Sequence, residues 1–214
     1  MLKPNQHLNY YEVVKRVIDI IVASMLIVLF TPFWIIVPIL IVLDSGRPAI
    51  FKHKRVGRFG KEFELYKFRS MVRDADDLLH KHDSKLLEEF KNGDWKMRND
   101  PRVTLVGKIL RKLTIDEFPQ LINVMRGEMS MVGPRAYLRK ELEEQTKRYP
   151  ETKQYLPLIL AAKPGITGVW QTSGRNEIPF TKRAKIDSEY AQHQSITEDL
   201  LIILRTPKAM LSKW

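Results

Sequence analysis

From Ile20 to Leu43 the chain carries no charged residue. A helix of about 20 apolar residues crosses a hydrocarbon core, so this run is long enough to enter a bilayer. Its middle is broken by Thr31-Pro32, with Pro38 further on. Proline removes a backbone donor and clashes with the preceding turn, so a kink or break is expected there. Two shapes satisfy this pattern: a kinked span, or a helix–break–helix that enters the bilayer and returns. Lys15 and Arg16 precede the run; Arg47, Lys52, Lys54 and Arg55 follow it. Juxtamembrane Lys and Arg mark the cytoplasmic side, and two basic flanks tip the reading toward the hairpin. Asp19 stands one turn after Lys15, where an i,i+4 pair would lower its cost beside lipid. A cleaved signal peptide is disfavoured by the length of the run and the lack of an A-x-A-like site. A buried soluble helix is disfavoured by the same length.

Residues 1–47 therefore read as a polar lead, over 1–14, plus the membrane segment, and residues 48–214 as one globular domain. With 36 Lys and Arg against 25 Asp and Glu, the net charge is +11. A basic surface beside an anchor suits anionic headgroups, phosphate-bearing substrates or nucleic acid. There are no cysteines, which excludes disulfides and thiolate metal sites.

Ala49–Phe51 and Glu62–Phe68 read as short strands around a turn-like Gly57-Arg58-Phe59-Gly60. Val72–Phe90 has helical apolar spacing, and Asn92-Gly93-Asp94 reads as a turn. Val103–Leu113 is amphipathic, with Val106, Ile109, Leu110 and Leu113 on one side, and suits either a membrane interface or a packed core. Asp116–Arg126, Glu141–Tyr149, Arg183–Gln192 and Glu198–Lys213 read as helices, the last kinked or split at Pro207 and closed by an interfacial Lys213-Trp214. Val169–Thr172 reads as a short strand. The fold class is α+β, mostly helical.

No P-loop or dinucleotide glycine fingerprint is present. His80 and His82 suit an exposed charged helix better than a metal site. The strongest chemical feature is Thr114-Ile115-Asp116-Glu117-Phe118-Pro119-Gln120, whose two carboxylates follow Arg111-Lys112. Thr114 and Glu117 also have capping-box spacing, and first-turn acids suit the helix dipole, so the local pattern alone favours a cap. Lys67-Phe68-Arg69, Asp100-Pro101-Arg102, Gly133-Pro134-Arg135 and Ser173-Gly174-Arg175 are each compatible with strand charges or tight turns. Together they set several arginines and one carboxylate pair beside a membrane. Guanidinium groups match phosphate oxygens in bidentate fashion, and adjacent carboxylates can hold Mg²⁺ against a diphosphate.

These segments resemble the bacterial sugar transferases, the monotopic phosphoglycosyl transferases. The resemblance covers nearly the whole chain: Lys15-Arg16-x-x-Asp19, Thr31-Pro32, Tyr66-Lys67-Phe68-Arg69-Ser70-Met71, Asn99-Asp100-Pro101-Arg102-Val103-Thr104, Thr114 to Leu121, Met131-Val132-Gly133-Pro134-Arg135, Lys163 to Gln171 and Ser173-Gly174-Arg175. It implies a re-entrant helix broken at Thr31-Pro32, with both ends cytoplasmic, in the bacterial inner membrane. It also implies a UDP-sugar donor, undecaprenyl phosphate as acceptor, Mg²⁺ as cofactor and Asp116 as covalent nucleophile. Glu117 would then hold the metal with Asp116 or assist it. Arg111 and Arg135 would contact phosphate, as would Lys67, Arg69 and Arg175. Two departures are visible: Thr31-Pro32 where the family often has Ser-Pro, and Ala136 where it usually has a second proline. The resemblance is to the minimal catalytic form, without a multi-span leader. Rival classes are a membrane-anchored nucleic-acid-binding or regulatory protein and a lipid-docking scaffold. The first needs a groove-binding helix or a basic-aromatic stripe, which the chain does not display, so no nucleic-acid partner is expected. The transferred sugar and any homo-oligomer are left open by the sequence.

Overall fold

The computed structural model describes residues 10–79, 84–93, 95, 97, 99–174 and 178–211. Arg175, His80, His82, Asp94 and the closing Lys213-Trp214 lie outside the described residues.

The apolar run forms two helices, α1 (Tyr10–Leu29) and α2 (Thr31–Ser45), bent by 63° at Phe30. Thr31 Oγ1 donates to the carbonyls of Ile27 (3.2 Å) and Val28 (2.8 Å), satisfying acceptors that the break would otherwise strand. Pro32 falls in the first turn of α2, where its missing N–H costs nothing. The expected break is therefore at Thr31-Pro32, whereas α2 runs through Pro38. Helix α1 begins at Tyr10, inside the stretch read as a polar lead. Among the described residues no single helix is long and apolar enough to cross a membrane, while the bent pair together has the length and composition of a broken span or re-entrant loop. Ile21, Met25, Val28, Leu29, Ile35, Ile36, Ile39 and Leu43 are all more than half exposed, an apolar surface far larger than isolated exposed side chains leave.

One side of α1 is built into the body as far as Ile27. Ala23 is fully buried with Leu121, Val124 and Met129. Asp19 accepts from Ser130 Oγ (2.9 Å) and Met131 N (2.8 Å). That orientation takes Asp19 away from the pair expected with Lys15, which instead bonds Asp199 at 2.6 Å.

Strands β1 (Ile50–Val56) and β2 (Glu62–Phe68) form an antiparallel hairpin with Phe51 opposite Lys67 and His53 opposite Leu65. The first strand extends past its expected end at Phe51. Its Lys52 and Lys54 resemble loop residues in sequence, but Lys52 pairs across the ladder with Glu64 at 3.1 Å. The helix expected over Val72–Phe90 contains α3 (Ala75–Asp77) and α4 (Ser84–Asn92), with residues 80–83 outside the described set. Next come α5 (Leu105–Lys112), α6 (Gln120–Arg126), β3 (Ser130–Val132), α7 (Arg139–Arg148), α8 (Leu156–Ala161) and β4 (Gly165–Thr167). The chain continues through α9 (Val169–Thr172), α10 (Phe180–Gln192) and α11 (Ile196–Leu211). The fold is mostly helical, with two small sheets among the described residues: the hairpin and a parallel β3–β4 pair.

The strand expected at Val169–Thr172 is helix; the strand lies just before it. Gly165 allows this, because a Cβ there would sit 2.1 Å from the Gly133 nitrogen, so this glycine marks a close strand contact. Helix α11 continues as one helix through Pro207, so the split expected there does not occur, and Thr206 Oγ1 donates to the Ile202 carbonyl at 2.7 Å.

Candidate active site

Asp116 and Glu117 do not open a helix, as expected for Asp116–Arg126. They occupy a separate 3₁₀ turn, Ile115–Glu117, and α6 starts only after Pro119. The capping-box reading also fails. Thr114 sits in the left-handed region (φ 58°) and its side chain caps nothing. A non-glycine residue in that conformation costs energy and is held by its surroundings. Those surroundings are apolar: Ile115 and Phe118 pack with Val37 and Ile41 of α2, Phe68 of β2 and Leu110 of α5.

Asp116 is 4 % exposed. Burial pushes its carboxyl up to about 6; Lys67 and Arg111 pull it down and the Glu117 charge pushes it further up. Lys67 Nζ lies 2.7 Å from Glu117 Oε1 and 3.8 Å from Asp116 Oδ2, so one ammonium serves both carboxylates. Asp116 Oδ1 is buried and accepts no hydrogen bond from another described residue.

Lys67 is placed by β2, which α6 holds in turn. Asn123 Oδ1 accepts from Tyr66 N (3.0 Å) and its Nδ2 donates to Glu64 O (2.7 Å). Arg111 arrives from the last turn of α5 and donates through Nε to Ser70 Oγ at 2.9 Å. That helix is capped by Thr104, whose hydroxyl accepts from Gly107 N at 3.0 Å. Gly107 is required: a Cβ there would lie 2.0 Å from the Ser70 carbonyl oxygen. The apolar positions of α5 are divided, with Leu110 in the core and Leu105, Ile109 and Leu113 exposed.

On the hairpin face that carries Lys67, alternation also places Phe51, His53 and Arg55. Burial, then Arg55 and Lys67, hold His53 down to about 4, so it is neutral near pH 7. Burial and the charge of Arg135 push Arg55 down to about 10. Arg55 senses both Glu117 and Arg135, and so links the carboxylate pair to a second basic group. There Arg135 lies 5.5 Å from the Trp170 ring and 3.9 Å from Glu141, and its backbone N–H donates to Asp187 at 3.1 Å. Tyr137 donates to the same Asp187 oxygen at 3.0 Å, and burial pushes that carboxyl up to about 7.

Of the residues singled out in sequence, the structure gathers Asp116, Glu117, Lys67 and Arg111, with Arg135 beyond Arg55. Arg69 lies at the C-terminus of α2, where its Nη2 donates to Ser45 O, Ser45 Oγ and Gly46 O while its Nε and Nη1 have no hydrogen-bond partner among the described residues. Asp100 and Arg102 satisfy each other in a buried pair of 2.6 Å. Thr31 and Pro32 shape the bend. His53, Asn123 and Asp187 escaped the sequence reading, and Arg55 figures there only as a basic flank of the apolar run. Asp187 had one signal, a carboxylate on the buried face of α10 shared with Phe180, Arg183 and Ala184.

Among the described residues no three acidic or histidine side chains converge on one metal. The uncommitted Asp116 Oδ1 beside a second carboxylate still fits Mg²⁺, which usually takes one or two carboxylates and completes its shell with water and phosphate. The residues present therefore fit a dication shared with a substrate phosphate, not an all-protein cage.

The structure thus sets a buried aspartate, flanked by cations, against a bent apolar helix pair. Residues 10–213 match the bacterial sugar transferase family, and the chain belongs to it. It is 41 % identical over 202 residues to the undecaprenyl-phosphate galactose phosphotransferase of Salmonella typhimurium, covering 93 % of this chain and 40 % of that protein. It is 38 % identical over 203 residues to the exopolysaccharide production protein ExoY of Rhizobium meliloti, covering 93 % and 86 %. The UDP-glucose:undecaprenyl-phosphate glucose-1-phosphate transferase of Caulobacter vibrioides is 36 % identical over 206 residues, covering 92 % and 70 %. The chain thus spans less than half of the Salmonella protein and most of the other two.

Proposed function

We propose that this chain moves a sugar phosphate from a UDP-sugar to undecaprenyl phosphate, releasing UMP. The observation that carries the reading is Asp116 Oδ1, buried, uncommitted and next to two cations. The activities for which the Salmonella and Caulobacter relatives are named support the substrate classes.

In the first step an Asp116 carboxylate oxygen attacks the sugar-bearing phosphorus. The bond to the bridging oxygen breaks, and UMP leaves with that electron pair. In the second step a phosphate oxygen of undecaprenyl phosphate attacks the same phosphorus, and the Asp116 carboxylate is expelled. Covalent catalysis divides one hard transfer into two easier ones and lets a soluble and a lipid substrate use one site in turn. A carboxyl held near 6 is mostly ionised at pH 7.5 yet more basic than an ordinary aspartate. Lys67 keeps the pair from repelling each other apart, while Arg111 and Arg135 offer guanidinium groups to phosphate oxygens. Glu117 and Asp116 would hold Mg²⁺, which when bound neutralises the diphosphate.

The same reading makes residues 1–47 a re-entrant anchor and 48–214 a catalytic body on the cytoplasmic face of the bacterial inner membrane. Its supports are the 63° bend, the exposed apolar residues of both arms and the basic flanks. Incubating the protein with UDP-sugar, Mg²⁺ and undecaprenyl phosphate and identifying the released nucleotide tests the chemistry. Release of UDP in place of UMP would overturn it.

A further inference from the structure

The C-terminal end of α6, away from the carboxylate pair, meets a second basic site. A cavity of about 360 Å³ opens there, lined by Lys15, Arg16, Arg58 and Lys163, with Glu12, Asp19, Val13 and Val17 among the other walls. Four cations thus face two carboxylates. Both acids are committed: Glu12 is ion-paired to Arg58, and Asp19 accepts from Ser130 and Met131. Lys15 is paired to Asp199. Arg16 donates to the carbonyls of Val124 and Met125, which close α6. Lys163 has no carboxylate at ion-pair distance among the described residues. Burial, then the charges of Arg16 and Arg58, hold its ammonium below the usual lysine range. Arg16 and Lys163 also converge: a methyl placed on Gly127 would be 3.7 Å from the Arg16 guanidinium and 3.8 Å from Lys163 Nζ.

We infer that this cavity binds a phosphate ester, separately from the site at Asp116. An anion placed between Arg16 and Lys163, beside the Glu12-paired Arg58, would relieve the two like charges that no carboxylate pairs among the described residues and exchange their hydration for charge-assisted hydrogen bonds. Asp116 lies in the 3₁₀ turn before α6, whereas the Arg16-bonded carbonyls of Val124 and Met125 close the other end of that helix, so α6 stands between the two sites. The ligand chemistry has two sources, a phospholipid headgroup or a soluble phosphate. Half-exposed Val13 and Val17, on the α1 turns just before the uncharged run, would suit the start of an acyl chain.

The chain has no cysteine, so Gln194→Cys gives a single thiol in the cavity wall. Its maleimide labelling is measured in detergent with and without pyrophosphate, and in nanodiscs of phosphatidylcholine with and without phosphatidylglycerol. Slowing by phosphatidylglycerol alone assigns the lipid source; slowing by pyrophosphate alone assigns the soluble one. Either supports the inference if Lys163→Met or Arg58→Gln abolishes it. No slowing by either anion, or slowing that survives both substitutions, overturns it. Folding of each variant is checked by its melting curve, and Arg58→Gln carries the test if Lys163→Met does not fold. Because labelling does not depend on Asp116, failure of the proposed chemistry would leave this result readable, and the reverse.

Discussion

The ring of Phe118, next to the carboxylate pair, lies 4.7 Å from the ring of Phe30, the residue at which α1 gives way to α2. Phe33 completes the cluster at 6.0 Å from Phe118 and 5.7 Å from Phe30. The bend and the site are therefore one packing unit. Aromatic pairs of this kind contribute about 0.5–1.5 kcal/mol beyond their buried area. Phe30→Leu should cost about 1 kcal/mol of stability and lower kcat for UMP release, with KM for the UDP-sugar little changed. A variant with full kcat would uncouple the bend from the site.

Asp116 sets a pH dependence with a defined sign. Its folded-state value near 6 is above the ordinary 3.8, so the folded state favours the protonated form. Stability from this group is present below pH 3.8 and is lost as pH rises through 6. Asp116→Asn should therefore be inactive yet more stable at pH 7.5, by roughly 2–3 kcal/mol at about 1.4 kcal/mol per pH unit. The gain should fade as pH is lowered toward 4. Melting curves at both pH values check this; equal differences would mean the carboxyl is not displaced.

Lys67 is the largest influence lowering Asp116. Lys67→Met should move the acid limb of the kcat profile to higher pH, because the two carboxylates would face each other without their shared ammonium. An unmoved limb, with activity merely reduced, would assign Lys67 to substrate binding alone.

Gly107→Ala forces a methyl against the Ser70 backbone, which cannot rotate away. Overpacking of this kind costs about 1–3 kcal/mol, and here it should also displace Arg111. Ser70→Ala removes only the Arg111 acceptor and should lower kcat with a smaller change in melting temperature. Equal effects on stability would argue that the hydroxyl is structural.

Chelation by EDTA should stop UMP release, and added Mg²⁺ should restore it. Activity that survives exhaustive chelation would remove the dication from the proposal and leave charge neutralisation to Lys67, Arg111 and Arg135.

The bent pair was legible because a long uncharged run with a central Thr-Pro leaves few conformations. The carboxylate pair was legible as residues but not as geometry. Capping-box spacing at Thr114 and Glu117 is a local signal, and tertiary packing of Ile115 and Phe118 overrides it by holding Thr114 left-handed. Lys67 and Arg69 are indistinguishable in sequence, two residues apart. One reaches the carboxylates and the other closes α2, a division decided by where β2 ends. His53 escaped notice, and Arg55 figures only as a basic flank, because polar residues in a strand read as loop until their partners across the ladder are known.

The bidentate grip of Asn123 on Glu64 and Tyr66 has a consequence for assembly. The outer side of β2 would otherwise offer a free carbonyl and a free N–H to any passing extended chain, which is how two-stranded sheets recruit unwanted strands. A side-chain amide already fills both positions. The hairpin that carries Lys67 is thus closed to strand addition at that point, so two copies of this protein crowded together would not join through it there.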